Sequence, residues 1–124
     1  MKKIAVITAT RAEFGLLMPV IQALRTYEND SFRAELIVTG THLSDAYGMT
    51  VNEIMNNSIR IDHKITIPVN SRTALDISVN QSEALVKFTE LFIEQKYDAV
   101  IILGDRYEML AAAIAANGYA NIEN

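Results

Sequence analysis

Short apolar runs rich in β-branched residues alternate along this chain with stretches whose apolar positions recur every three or four residues. The first run, residues 3–8, reads as a strand. Phe14, Leu17, Ile21 and Leu24 then mark one face of a helix, with Pro19 inside the pattern predicting a kink or a restart near Met18. A second strand is expected at 34–38, a polar loop and short helix around 50–57, and a more amphipathic strand over 61–67, closed by Pro68 and carrying His63 on its solvent side. Leu85, Phe88 and Phe92 predict a long helix over 75–95. Residues 99–103 are wholly apolar and read as a strand buried on both faces. An alanine-rich helix over 107–116 should stop at Gly118, and the polar tail 119–124 begins no fifth strand.

Strands and helices in strict alternation predict an α/β protein with a doubly wound parallel sheet. Right-handed crossovers favour the spatial order third, second, first, fourth strand. The first and fourth strands then lie side by side where the chain reverses its winding, and the loops leaving them diverge around a crevice. Thr10 and Arg11 would face Asp105 and Arg106 across that crevice, with His42 on its border. The fourth strand would be an apolar edge, which calls for a covering partner, such as another copy in a homo-oligomer, or for more chain.

Composition narrows the classes of function. Half of the 124 residues are hydrophobic, enough for a core, and 21% are charged. No apolar tract is long enough to span a membrane. The two lysines at the start precede a short β-branched run broken by Thr8 and Arg11, unlike a signal peptide. The chain has no cysteine, which removes disulfides and thiolate metal sites and suits a cytoplasmic location. A net charge of −4 disfavours general affinity for nucleic acid or anionic lipid, but leaves room for a small anion held at a helix start.

Residues 8–13, Thr-Ala-Thr-Arg-Ala-Glu, follow the first strand without a dinucleotide fingerprint or a P-loop, and the second strand ends in Val38-Thr39-Gly40 with no acidic residue for a ribose. Small hydroxyls, an arginine and a helix start instead suit a diphosphate. The plainer reading makes Arg11 a solvated charge paired with Glu13, Asp105 a helix cap and His42 a structural histidine. No His, Asp or Glu grouping has metal-ligand spacing, so neither a metal nor another cofactor is expected. A Gly-x-Ser-x-Gly elbow is absent, which disfavours an acyl hydrolase. The methionines are scattered and read as core filler.

Four segments in order, Thr8 to Gly15, Val38 to Leu43, Ala46 to Thr50 and Leu103 to Glu108, closely resemble the hydrolysing UDP-N-acetylglucosamine 2-epimerases of sialic acid biosynthesis and their relatives acting on UDP-N,N′-diacetylbacillosamine. The resemblance implies a Rossmann-like sheet forming the incomplete amino-terminal half of a two-domain, GT-B-type enzyme, with residues 1–124 a truncated first domain and the second domain absent. It implies a UDP-sugar substrate, elimination of UDP to a glycal, and hydration with inversion at C2, without nicotinamide or an obligatory metal. By motif, Asp105 matches the catalytic carboxylate and Arg11 the diphosphate contact. Thr10, Glu13, His42, Arg106 and Glu108 match positions lining or supporting the substrate site. A carboxylate without its partners and a half-cleft open to water should not turn over substrate. The competing expectations are a non-catalytic flavodoxin-like module binding a ligand or protein at its strand exits, and the acceptor domain of a GT-B glycosyltransferase.

Overall fold

The computed structural model describes residues 1–43, 50–68, 72–104 and 106–122. In chain order they form β1 (Lys2–Thr8), α1 (Arg11–Thr26), β2 (Phe32–Thr39), a 3-10 turn (Gly40–Leu43), α2 (Val51–Asn56), β3 (His63–Ile65), α3 (Ala74–Gln95), β4 (Ala99–Ile102) and α4 (Tyr107–Ile122). All strand pairings within the sheet are parallel, and the order is β3-β2-β1-β4, as the alternating pattern predicts. Val6 sits opposite both Leu36 and Ile101, so β1 is the central rail of the sheet.

Successive residues of β1 point to opposite faces and found two cores. Ala5 and Ile7 pack with Phe88 and Phe92 of α3 and with Met109, Ala111 and Ala112 of α4. Val6 packs on the other face with Phe14, Leu17 and Ile21 of α1 and with Ile54 of α2. Two helices on each face satisfy a sheet whose middle strands are apolar on both sides.

Several elements depart from the sequence pattern. The run over 99–103 is not buried on both faces: Ala99 and Leu103 are exposed, and Val100, Ile101 and Ile102 are half-buried. Burial of a strand depends on its neighbours, and β4 pairs with β1 alone among the described residues. No restart occurs at Pro19. Helix α1 runs uninterrupted through it because Pro19 and Gly15, whose carbonyl the missing N–H would have served, both lie on the exposed face, where water takes that role. Nor does α4 stop at Gly118; it continues to Ile122, and Gly118 does not adopt the positive φ of a helix-ending glycine. The third strand shrinks from the expected 61–67 to three residues.

His63 is also not on the solvent side. It is half-buried, with Nε2 3.0 Å from Oε1 of Glu35. Glu35 is itself buried within β2, and its carboxylate accepts from the Tyr97 hydroxyl at 2.6 Å and from Arg33 Nε at 3.0 Å. Next to it Asp62 accepts from Arg25 Nη2 at 2.7 Å, Arg33 Nη2 at 3.1 Å, Arg60 Nε at 2.9 Å and the Leu36 amide at 2.8 Å. This lattice pins the short β3 to β2 at the pole where the strands begin.

Burial pushes the Glu35 carboxyl up, but Tyr97, His63, Lys3 and Arg33 together hold it below the usual 4.5. A carboxylate held down in the folded state contributes stability that is present above about pH 4.5 and is lost as pH falls through the lowered value. Replacing Glu35 with alanine should therefore cost about 3 kcal/mol at pH 7, because its buried partners lose their counter-charge. Chemical denaturation at pH 7 and pH 3 should show that penalty shrinking in acid.

Candidate functional site at the strand exits

Thr10 has extended backbone geometry, with φ of −136° and ψ of 159°, and caps α1. The third residue of that helix, Glu13, folds back so that Oε1 accepts from the Ala9 amide at 2.5 Å and the Thr10 amide at 3.1 Å. A carboxylate at this position meets the unpaired amides and the positive end of the helix dipole. The side chain is buried, and burial, the largest influence, raises its pKa above 4.5 despite those two amides. Glu108 pushes the same way, while Arg106 opposes it.

The other oxygen of Glu13 faces β4's exit. Gly104 has φ of +116°, and a Cβ built there would lie 2.9 Å from Glu13 Oε2. Glycine is thus required at position 104 both by its backbone and by the approach of that carboxylate. The exits of β1 and β4, adjacent as predicted, are therefore packed against each other at this point rather than diverging around a crevice.

Glu108, in the first turn of α4, mirrors this arrangement toward β2. It is 1% exposed, and its Oε1 accepts from Arg106 Nε at 2.7 Å. A Cβ at Gly40, whose φ is +63°, would meet Glu108 Oε1, Ala9 O and Ala9 Cβ, each at 3.0 Å. Glu108 Oε2 is the one buried side-chain polar atom without a hydrogen bond among the described residues.

His42 is 1% exposed and stands between two hydroxyls, with Nε2 2.9 Å from Thr8 Oγ1 and Nδ1 2.8 Å from Thr50 Oγ1. Its amide donates to Ala9 O at 3.2 Å, and its ring meets Phe14 edge-on at 6.1 Å. A neutral imidazole has one donor and one acceptor nitrogen, which suits two hydroxyls able to take either role. Burial lowers its pKa to about 4, against the Thr10 carbonyl, which acts in the opposite direction.

The expected site residues thus divide. Thr10, Glu13, His42, Arg106 and Glu108 gather around the exits of β1, β2 and β4. Arg11 lies on the outer rim, its guanidinium exposed, and pairs through Nε with Glu53 Oε2 of α2 at 3.0 Å. The plainer pairing of Arg11 with Glu13 is overturned, because Glu13 turns inward to the backbone. Asp105 lies outside the described residues, between Gly104 and Arg106. Thr8 and Thr50, which bracket His42, and Gly40, which admits Glu108, lie in the matched segments but are not among the expected site residues. Thr8 at the end of an otherwise apolar strand was the available signal.

Comparison with known proteins identifies the family and the fold. Residues 24–123 match the family model described as UDP-N-acetylglucosamine 2-epimerase. The chain belongs to the UDP-N-acetylglucosamine 2-epimerase family. It is 38% identical to polysialic acid biosynthesis protein P7 of Escherichia coli over 94% of its own length and 29% of that protein's. It is 38% identical to the UDP-N,N′-diacetylbacillosamine 2-epimerase (hydrolyzing) of Legionella pneumophila, over 93% of its length and 30% of the relative's. A crystal structure of a UDP-N-acetylglucosamine 2-epimerase superposes with a TM-score of 0.79 at 25% identity, covering 95% of this chain and 31% of that one. The chain therefore spans about 30% of the length of the relatives it matches. Within this epimerase-family chain, no described helix is long and apolar enough to cross a membrane.

Two outcomes follow for the family's strand-exit residues here. His42 should remain neutral from pH 8 to pH 5, seen as flat imidazole shifts by NMR. Because its folded pKa lies below 6.5, it contributes stability that is complete above about pH 6.5 and lost toward pH 4, at up to about 1.4 kcal/mol per pH unit. Gly104→Ala should destabilise the fold by about 1–3 kcal/mol in denaturant titrations, from the forbidden φ and the contact with Glu13.

Proposed function

We propose that this chain forms the amino-terminal Rossmann-like half of a GT-B-type, hydrolysing UDP-N-acetylglucosamine 2-epimerase. The observation that carries this reading is the convergence of three strand exits on one helix start, with arginines and carboxylates from α1 and α4 around it. Family membership supplies the substrate class. The Legionella relative is named as a hydrolysing enzyme acting on a UDP-sugar.

In the proposed reaction a base removes the proton at C2 of the sugar while the bond from C1 to the diphosphate oxygen breaks. UDP departs and a C1=C2 glycal remains. Water then adds its hydroxyl to C1 and a proton returns to C2 on the opposite face, releasing the free 2-epimeric sugar. Asp105 is assigned the proton transfer at C2. Arg11 and the amides at the start of α1 that the Thr10–Glu13 cap leaves open receive the diphosphate, where negative charge accumulates on departure. Glu13, Arg106, Glu108 and His42 hold these elements in register beneath the substrate.

The 124-residue chain should bind a UDP-sugar weakly and not turn it over, since its strand exits open to solvent and a leaving group there gains little from preorganised charge. Titration of UDP against the chain, followed by residue-resolved NMR, should shift Thr10, Arg11 and Gly104. A coupled assay for UDP release from UDP-N-acetylglucosamine should stay at background. Absence of shifts at the strand exits would favour a non-catalytic interaction module, and UDP release by this chain would refute its proposed inactivity.

A further inference from the structure

Glu13 and Glu108 approach one short stretch of backbone from two helices. Glu13 Oε1 sits on the Ala9 amide, while Glu108 Oε1 and Ala9 O both lie 3.0 Å from the position a Gly40 Cβ would take. Both side chains are buried, at 7% and 1% exposure. Buried against the same stretch of backbone, the Glu108 carboxylate makes ionisation of Glu13 harder. The surrounding charges decide which one keeps a proton. Arg106 Nε lies 2.7 Å from Glu108 Oε1 and brings a positive charge to that side of the pair. Glu13 has two backbone amides on Oε1 and, among the described residues, no ion pair, so Oε2, on the Gly104 side, is the oxygen left to carry a proton.

We propose that Glu13 is the proton-carrying member of a coupled Glu13–Glu108 carboxylate pair beneath the strand exits, and that losing this proton weakens binding of an anionic nucleotide above it. The second half rests on the nucleotide-sugar reading given above. With the proton in place, the pair carries one negative charge, which Arg106 offsets. Without it, an extra buried negative charge lies under the amides and arginine assigned to the diphosphate. Among the described residues, which do not include Asp105, the other groups around the pair do not supply the effect. His42 is neutral across the range, its pKa being about 4, and the hydroxyls of Thr8 and Thr50 carry no charge. Arg11 is turned outward to Glu53, and Tyr107 meets Asn80. The orphan Oε2 of Glu108 accounts for the sensitivity of the pair: no donor among the described residues satisfies it, so its charge is felt by Glu13 rather than absorbed locally.

The test uses the 124-residue chain with carboxyl-labelled glutamate. The Glu13 signal should titrate above the ordinary carboxylate range. Glu108→Gln, nearly isosteric, should bring its midpoint back down, and Arg106→Gln should move it further up. A Glu13 midpoint at the ordinary value, or one that ignores both substitutions, overturns the pair; the wild-type titration decides this even where a variant fails to fold. UDP-N-acetylglucosamine, whose diphosphate does not itself titrate here, is then titrated at pH values on both sides of the midpoint. Its Kd should rise about three- to tenfold above the midpoint, and this step should vanish in Glu13→Gln, a change of up to about 1.4 kcal/mol. A pH-independent Kd removes the regulatory half. No binding at any pH removes the nucleotide reading as well, while a coupled carboxylate titration would leave the pair itself standing.

Discussion

The Glu13 carboxyl group, folded back onto the amides of Ala9 and Thr10, is the contact on which the pole where the strands end depends. It closes the turn between β1 and α1 without a glycine in that turn. The room this requires comes from neighbours instead. Gly104 at the end of β4 leaves space for Glu13 Oε2, and Gly40 at the end of β2 leaves space for Ala9 and Glu108. Three strand exits are thereby tied by two first-turn carboxylates and two glycines. Each component is a short-range device, a helix cap or a positive-φ residue, yet together they fix a long-range relation between residues far apart in the sequence.

The opposite pole works by different physics. There the strands begin, and Asp62 and Glu35 gather arginines, His63 and Tyr97 into a lattice in which nearly every carboxylate oxygen is engaged. Such a lattice resists rearrangement because removing any member strands a buried charge. The pole where the strands end contains an orphaned carboxylate oxygen and an exposed arginine instead. One pole is saturated and holds β3 in place. The other holds one buried acceptor without a donor among the described residues and an arginine whose ion pair lies in solvent.

The sequence revealed the strand order because that order follows from apolar runs, helix spacing and the handedness of crossovers, all of which are local or universal. Burial was less legible because it is a property of neighbours. The apolar run at 99–102 belongs to a doubly covered strand by composition, yet it is half-exposed where β1 is its one described partner. His63 was misread because strand alternation assigns faces without knowing what lies on them. A glutamate inside the apolar run of β2, Glu35, was the sign that a polar partner would be drawn inward. Pro19 was misread because its helical position was weighed without its solvent-facing side. For the candidate site, motif order picks out Thr10, Glu13, His42, Arg106 and Glu108, and the structure places them at one pole. It could not reveal that Glu13 turns inward while Arg11 turns out, since the choice depends on Gly104 and on Glu53 of α2.

The two arginines at the pole where the strands end are not equivalent, and the difference bears on how a diphosphate would be received. Arg11 pairs with Glu53 where both side chains are largely exposed, at 72% and 45%. A pair so solvated is worth at most about 1 kcal/mol, so its guanidinium can exchange Glu53 for a phosphate at little cost. Arg106 is bonded to Glu108, which is 1% exposed. Withdrawing that guanidinium would leave a bare carboxylate in a desolvated place, a far larger penalty. Arg106 therefore acts as a fixed cation, setting the charge of the floor beneath the exits. Arg11 acts as the exchangeable one, able to follow the ligand. An arriving anion and a departing one meet the same two groups, so in the proposed reaction the fixed cation would favour the bound and leaving states alike. Any gain specific to bond breaking would have to come from the movable guanidinium and the amides at the start of α1.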